Sequence, residues 1–107
     1  DYAYALSKKV AEGEIPQGIL VCGTGIGMCI TANKVKGVRA AVCWDEYTAR
    51  MSRNHNNANV LCLGARVISP EEAEGILKVW LEENFSGGKH KKRLDKIDRI
   101  ERWEENE

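Results

Sequence analysis

Residues 18–34, GILVCGTGIGMCITANK, decide the fold of this chain. Ile19, Leu20 and Val21 form a short apolar run with β-branched residues, which is typical of a buried strand in a parallel sheet. A glycine-rich turn follows, and a helical pattern begins at about Met28. A helix that begins at such a turn directs its positive end and its free N–H groups into the turn. The stretch therefore predicts a strand–turn–helix unit that binds an anion.

The glycines of this turn, Gly23, Gly25 and Gly27, leave backbone N–H groups open to a ligand because they have no Cβ. Their spacing, GxGxG, differs from the GxGxxG of dinucleotide-binding turns and lacks the Gly-Lys-Ser/Thr ending of a nucleotide P-loop. Cys22 is the last residue of the predicted strand, where α/β folds place their chemistry. The residues alone leave open a phosphate or nucleotide loop, a catalytic thiol loop, or a Cys22 that only fills the core.

The composition of the 107 residues predicts an ordinary globular domain, with 43% hydrophobic and 30% charged residues. The net charge is zero, which argues against nucleic-acid or membrane binding by the chain as a whole. No apolar run approaches the ~20 residues of a membrane span. The cysteines form no CxxC pair, which predicts reduced thiols of a cytoplasmic protein and no metal site: Cys22, Cys29, Cys43 and Cys62. Except for Cys22, they are interpreted as packing residues.

Helical and strand patterns alternate along the chain. Helices are predicted over residues 2–12, 28–35, 46–53, 70–83 and 89–107, and strands over residues 19–22, 38–44 and 59–63. This alternation predicts an α/β fold, a Rossmann-like parallel sheet in three α/β/α layers. The carboxyl ends of parallel strands lie on one edge, so Cys22, Trp44 and residues 64–66 are expected to converge. In the fourth helix, the residues expected to face the core are Ile76, Leu77, Trp80 and Leu81.

The C-terminal segment has a different character from the rest of the chain. Residues 86–88, Ser-Gly-Gly, are interpreted as a hinge that separates an α/β domain over residues 1–85 from a helical segment over residues 86–107. This last helix has a basic start and an acidic end, an order that opposes its dipole. An anion bound near its start or a simple solvated face would each explain the order. The apolar stripe is expected to pack on the domain or on a second subunit: Leu94, Ile97, Ile100 and Trp103.

These motifs closely resemble those of the type B ribose-5-phosphate isomerases and their sister galactose-6-phosphate isomerase subunits. The matching stretches are GILVCGTGIGMCITANKVKGVRAAV, ARMSRNHNNANVLCLGARV and FSGGKHKKR. They run through nearly the whole chain, and the CGTGIG and HNNAN blocks in this order are specific. The resemblance implies an aldose–ketose isomerase that interconverts ribose 5-phosphate and ribulose 5-phosphate through an enediolate. Such a reaction needs a base, a stabilised oxyanion and a phosphate anchor, and no metal or redox cofactor.

The resemblance also implies catalytic roles for individual residues. Cys22 matches the thiol that moves a proton between C1 and C2, and a helix N-terminus favours a thiolate. Thr24 and the N–H groups of the turn match the groups that hold the developing oxyanion. His55 matches the histidine that opens the furanose ring, with Asn56 beside it. Cys22→Ser is expected to leave binding intact and to lose most of the turnover.

Residues that match the substrate contacts of the family lie elsewhere in the chain. Arg66 and Arg93 match arginines that bind the phosphate, and Lys89 stands where the family commonly has an arginine. Lysine keeps the charge but loses the two-pronged guanidinium contact, so weaker phosphate binding is expected. Tyr2 matches a tyrosine near the substrate. His90 is interpreted as a surface residue beside the phosphate anchors. The family forms homodimers that share the active site across the interface, with a tetramer as a further possibility.

The resemblance further implies a piece of the fold that precedes Asp1. The family begins with a strand and a helix that carry an Asp-His pair, so the sheet is expected to lack its first βα unit, about 40 residues. The chain alone is then expected to be inactive or to need the missing unit. Two alternatives to the ribose isomerase are a galactose or allose 6-phosphate isomerase and a non-catalytic phosphate- or nucleotide-binding module. A thiol redox protein is disfavoured because the cysteine nearest to Cys22 is Cys29.

Overall fold

The computed structural model describes the backbone of residues 1–105 and the side chains of residues 1–102. Helices and strands alternate through most of this length, as the sequence predicts. In chain order the elements are α1 (Tyr2–Ala11), β1 (Gly18–Cys22), α2 (Ile26–Asn33), β2 (Ala40–Val42), α3 (Glu46–Asn54), β3 (Val60–Gly64), α4 (Pro70–Glu82) and α5 (Lys89–Glu105). The predicted helical residues 106 and 107 and the side chain of Trp103 lie outside the described part.

The three strands form one parallel sheet in the order β1-β3-β2. Gly18 pairs with Val60 at the amino edge of the sheet, and Cys22 pairs with Gly64 at its carboxyl edge. The central strand β3 is buried at all five positions, which suits a strand covered on both faces. Among the described residues, β1 and β2 each pair on one side only.

Helices cover both faces of the sheet, which confirms the predicted three-layer architecture. On one face α1 and α2 enclose a core of Ala3, Val10, Leu20, Ala32, Val38, Val60 and Cys62. On the other face α3 and α4 enclose a core of Cys43, Ala49, Leu61, Leu63, Ile76 and Trp80. The alternation of β3 side chains between these two cores follows from the two-residue period of a strand.

Two helix starts are fixed by capping boxes, as their sequences indicate. The Ser69 hydroxyl accepts from the Glu72 N–H at 3.1 Å, and the Glu72 carboxylate accepts from the Ser69 N–H at 2.8 Å. Pro70 occupies the first helical position, where no N–H is needed. At α3 the Asp45 carboxylate accepts from the Thr48 N–H at 2.7 Å. Both helices therefore begin where predicted.

Three predicted details were wrong. The helix α2 begins at Ile26 rather than Met28, because Gly25 adopts a left-handed conformation and caps it. The strand β2 spans Ala40–Val42 rather than residues 38–44, and just before it the N–H of Arg39 donates to the side chain of Asn59 instead of to the backbone of β3. Leu81, predicted to face the core, is 58% exposed. Trp80 faces the core, and the next residue of a helix is rotated about 100° from it.

The last helix, α5, follows a turn that is fixed to the end of α3. Gly87 and Gly88 both have positive φ, 72° and 60°, a conformation that favours glycine. The backbone N–H of Ser86 donates to the carbonyl oxygen of Asn54 at 3.0 Å. Further along, the Glu101 carboxylate accepts from the N–H of Gly37 at 3.2 Å, just before β2. The helix thus lies against the amino edge of its own sheet. The division into two segments at residue 85 stays a prediction.

Candidate active site

The Cys22 thiol lies at the carboxyl edge of the sheet, against the start of α2. It is the last residue of β1, and its sulfur accepts a hydrogen bond from the backbone N–H of Gly25 at 3.1 Å. Gly25 is the N-cap of α2, so the sulfur stands at the positive end of that helix. The thiol is only partly buried. This position gives Cys22 both an N–H donor and access to a ligand.

The glycine turn packs directly on the end of β3. A Cβ on Gly64 would lie 2.5 Å from the carbonyl oxygen of Thr24, and a Cβ on Gly25 would lie 3.2 Å from the carbonyl carbon of Leu63. Gly25 also has φ of 84°, which a side chain disfavours. The turn therefore requires glycine at positions 25 and 64 for its close approach. Gly27, in contrast, has open space beside it.

Arg66 joins this group from the loop after β3. Its backbone N–H donates to the carbonyl oxygen of Gly23 at 2.9 Å, and Ala65 N–H donates to the carbonyl oxygen of Cys22 at 2.8 Å. The Arg66 side chain lies over Gly23, 3.5 Å from the point where a Cβ would stand. The structure thus brings together Cys22, Thr24, the turn glycines and Arg66, which confirms the predicted convergence of residues 64–66 with Cys22.

An apolar cavity of about 320 Å³ opens beside the turn. Its lining comes from the turn, from the end of β2 and from the loop after β3: Thr24, Ile26, Val42, Cys43, Trp44, Gly64, Val67 and Ile68. Trp44 is 54% exposed at its rim, so its ring extends the apolar wall into solvent. The cavity adjoins the glycine turn through Thr24 and Ile26, which line it.

A second group of predicted site residues lies at the opposite edge of the sheet. His55 and Asn56 follow α3 and precede β3, and Lys89 and Arg93 lie in the first turns of α5. Since a strand rises about 3.3 Å per residue, the length of β3 alone separates the two edges by about 13 Å. One chain therefore does not bring His55 together with Cys22.

His55 and His90 form a contact that the sequence did not predict. Their rings stack with centroids 4.0 Å apart and planes 11° apart. Desolvation, with the nearby charges of His55, Lys89 and Arg93, lowers the pKa of His90 below its usual 6.5. His90 is thus a packing partner of His55 as well as a neighbour of the basic residues. Tyr2, at the start of α1, is 84% exposed.

Cys29 packs against the core between α2 and the sheet, as the sequence predicts, and its thiol donates to the carbonyl oxygen of Ala40 at 3.5 Å. A hydrogen bond with Cys62 is the largest cause that lowers the pKa of Cys29 to about 7. The same contact, together with burial, raises the pKa of Cys62. Cys43 and Cys62 are buried, in agreement with their prediction as packing residues.

The described residues contain no cluster of three or more His, Cys, Asp or Glu side chains that could hold a metal ion. In the same part of the chain, no helix combines the length and the apolar character needed to span a membrane. The chemistry available at the carboxyl edge is thus that of a thiol, main-chain N–H groups, a hydroxyl and a guanidinium.

The fold and this edge define a Rossmann-like α/β protein with a glycine-rich turn and a thiol at a strand end. The model of the Ribose/Galactose Isomerase family matches residues 1–97, and the chain belongs to this family. The resemblance seen in the motifs is thereby confirmed.

Two curated relatives show how close the similarity is. The chain is 50% identical over 107 residues to D-erythrulose-4-phosphate isomerase of Pectobacterium atrosepticum, covering 100% of the chain and 70% of the relative. It is 47% identical over 100 residues to ribose-5-phosphate isomerase B of Escherichia coli, and this match covers 94% of the chain and 67% of the relative. The chain therefore spans about two thirds of the length of these relatives.

Solved structures agree with the sequence comparison. Ribose-5-phosphate isomerase B of Clostridium thermocellum superposes with a TM-score of 0.94 at 49% identity, over 95% of this chain and 69% of that one. The Mycoplasma genitalium ribose-5-phosphate isomerase B with bound ribulose-5-phosphate superposes with a TM-score of 0.92 at 48% identity. This match covers 95% of this chain and 68% of that one. The backbone described above is thus that of the family.

Proposed function

We propose that this protein is an aldose–ketose isomerase of sugar phosphates in which Cys22 is the base. The observation that carries the proposal is the hydrogen bond from the Gly25 N–H to the Cys22 sulfur at the start of α2. A donor and a helix N-terminus both stabilise a thiolate, which is the form that accepts a proton. The family membership and the isomerase names of the relatives support the reaction class.

The proposed reaction is a proton transfer along the open-chain sugar. The Cys22 thiolate takes the proton from C2 of the aldose, and the electrons of that C–H bond form the C1–C2 double bond of an enediolate. In the same step the electrons of the C1 carbonyl bond move onto O1. The thiol then returns a proton to C1, the proton of the C2 hydroxyl passes to O1, and C2 becomes the carbonyl carbon of the ketose. The Thr24 hydroxyl accepts from the N–H of Ile26 at 3.2 Å and keeps its own proton to donate. With the next N–H groups of α2, which have no partner within the helix, it would stabilise the oxyanion.

The positions of the remaining site residues support an active site built from two chains. His55 and Arg93 lie at the amino edge of the sheet, and Cys22 and Arg66 lie at the carboxyl edge. In a homodimer, His55 and Asn56 of the partner subunit would open the sugar ring. Lys89 and Arg93 of the partner subunit would bind its phosphate with Arg66. The exposed apolar residues beside the turn offer a surface for this contact: Ile26, Trp44 and Val67.

Complementation tests both the thiol and the dimer. Cys22→Ser and His55→Ala, each made in a form of the protein that turns over ribose 5-phosphate, are expected to lose most of that turnover. Random mixing of the two variants puts half of the chains into mixed dimers, each with one intact site, so about a quarter of the wild-type activity should return. No recovery would show that each site is built within one chain, and full activity of Cys22→Ser would refute the base.

The sugar that the enzyme prefers is a separate question. The relatives include isomerases named for ribose 5-phosphate and for D-erythrulose 4-phosphate, substrates that differ in chain length. We propose ribose 5-phosphate and place the enzyme in the cytoplasm, where its free cysteines stay reduced. Parallel assays with these two sugars and with galactose and allose 6-phosphates would settle the preference. Binding without turnover of any of them would favour a non-catalytic phosphate-binding module.

A further inference from the structure

Arg53, near the end of α3, holds the loop that carries His55. This loop, residues 55–58, joins α3 to β3. The Arg53 guanidinium donates to the carbonyl oxygen of Ala58 and, at 3.5 Å, to the side-chain oxygen of Asn57. We propose that Arg53 is a positioning residue, which fixes this loop so that the imidazole of His55 stays in place for its proton transfer. The inference rests on the proposed function, in which His55 opens the sugar ring.

The loop has a conformation that must be held by contacts around it. Asn57 has φ of 47°, and it is the one non-glycine residue with positive φ in the described part of the chain. This left-handed conformation is unfavourable for a residue with a side chain. Asn57 is bonded on two sides, by the Arg53 guanidinium and by the Nε–H of Arg39, which donates to the Asn57 carbonyl oxygen at 2.8 Å. Removal of the Arg53 side chain would therefore release one side of the loop.

Arg53 can restrain the loop because its own side chain is anchored to α4. Its Nε–H donates at 3.4 Å to the carbonyl oxygen of Glu83, the residue that follows this helix. Its guanidinium lies over the ring of Trp80, 5.5 Å from the ring centroid, and Trp80 has no exposed surface. The planar guanidinium thus joins α4 to the loop. A lysine keeps the charge but lacks the fixed fork of N–H donors that this geometry uses.

These contacts fix His55 on both of its sides along the chain. On the amino side, the N–H of His55 donates to the carbonyl oxygen of Met51 at 2.9 Å. On the carboxyl side, the contacts of Arg53 begin two residues later, and the ring itself stacks on His90. A general acid or base works within about 3 Å of the atom with which it exchanges the proton, so a small shift of the loop slows ring opening.

NMR spectra of the imidazoles test the positioning without any turnover. The chain has two histidines, so the variant His90→Gln assigns both Cε1–H signals. Each ring of the stacked pair with His55 lies in the ring-current field of the other. We expect Arg53→Met and Arg53→Lys to move both signals toward those of free histidine. Arg50→Met is the matched control on the same helix, because Arg50 forms an ion pair with Glu83 at 3.7 Å, and it should leave both signals unchanged.

Unmoved imidazole signals in folded Arg53 variants would overturn the proposal. If neither Arg53 variant folds, the wild type decides. Its Arg53 Nε–H, which donates to a carbonyl oxygen, should exchange with water more slowly than the Nε–H of Arg50, whose side chain is 45% exposed. Equal exchange of the two would also overturn the proposal.

Kinetics connect the positioning to the reaction. In a form of the protein that turns over ribose 5-phosphate, Arg53→Lys should lower kcat by up to about 100-fold with little change in KM. D-Erythrulose 4-phosphate, the substrate named for one relative, forms no furanose ring because its terminal oxygen carries the phosphate, so its turnover should fall much less. Wild-type kcat in Arg53→Lys, or an equal loss with both sugars, would overturn the proposal. Absent turnover in the wild type contradicts the proposed function, whereas unmoved imidazole signals contradict the positioning role alone.

Discussion

The rings of His55 and His90 stack at a centroid distance of 4.0 Å and hold the start of α5 against the end of α3. This contact sits among basic residues, because Lys89 and Arg93 flank His90 on the same helix. We expect the strength of this contact between α3 and α5 to depend on pH, since histidine changes charge near neutral pH.

Acidification is therefore expected to loosen α5. Desolvation and the charges of His55, Lys89 and Arg93 lower the pKa of His90 below 6.5 when the helix is docked. The detached helix then binds more protons than the docked one, so docking is strongest above pH 6.5 and weakens as the pH falls through the lowered pKa. Hydrogen exchange of residues 89–102 between about pH 5 and pH 8, corrected for intrinsic rates, measures the change. His90→Phe keeps a flat ring and should remove the pH dependence; equal protection at both pH values in the wild type would contradict the expectation.

Gly25→Ala and Gly27→Ala form a matched pair in the turn. Alanine at position 25 combines a φ of 84° with a Cβ 3.2 Å from the carbonyl carbon of Leu63, so it should lower the free energy of unfolding by about 1–2 kcal/mol. The Cβ of an alanine at position 27 would lie in open space within a helix, so this variant should raise the free energy of unfolding by about 0.5–1 kcal/mol. Urea denaturation of both variants measures the two changes in the free energy of unfolding, which should have opposite signs. Equal effects would show that the turn relaxes around a side chain at position 25.

Two buried serines are expected to respond in opposite directions to replacement by alanine. The Ser7 hydroxyl has no exposed surface and no hydrogen-bond partner among the described residues, so Ser7→Ala should stabilise the fold by about 1 kcal/mol. The Ser52 hydroxyl donates to the carbonyl oxygen of Ala49 at 2.9 Å and accepts from the Cys43 thiol at 3.6 Å. Ser52→Ala should therefore destabilise it by about 1 kcal/mol. Midpoints of urea unfolding compare the pair, and a loss of stability in Ser7→Ala would point to a partner for that hydroxyl.

In a Cys22→Ser background, where Cys29 is the one cysteine of its tryptic peptide, the thiol of Cys29 should be alkylated faster than that of Cys43 once the pH exceeds about 7, because the hydrogen bond from Cys62 lowers the pKa of Cys29 to that value. Burial raises the pKa of Cys43, so its peptide serves as the slow internal control. The rate of iodoacetamide labelling of each peptide against pH, read by mass, gives both profiles. Cys62→Ala should move the Cys29 profile to higher pH, and an unmoved profile would mean that Cys62 is not the donor.

Local signals made much of the fold predictable. The strand–turn–helix over residues 18–34 depends on an apolar run and a glycine turn, and the Ser69 cap depends on residues within four positions of each other. The ends of β2 could not be predicted in this way. They depend on the side chain of Asn33 bonding Ala40 and on that of Asn59 bonding Arg39, contacts that exist only after the helix and the strands have packed.

The candidate site was predictable in part, for a similar reason. Cys22 and Arg66 each follow a strand, so chain order alone places both at the carboxyl edge. His55 precedes a strand, and the same rule would have placed it at the opposite edge. The stacking of His55 on His90 depends on how the start of α5 packs beside the end of α3, which the spacing of the two residues in the sequence does not contain.

The outer side of β1 has a consequence for handling this chain. Ile19 and Val21 are 40% and 54% exposed on this strand, and its backbone pairs with β3 alone among the described residues. The backbone groups on the outer side of this strand are free to pair with a strand of another chain, and its β-branched side chains carry no charge that would oppose such pairing. Concentrated preparations of the 107-residue chain are therefore prone to β-rich aggregation, and a lysine at position 19 or 21 is a simple remedy.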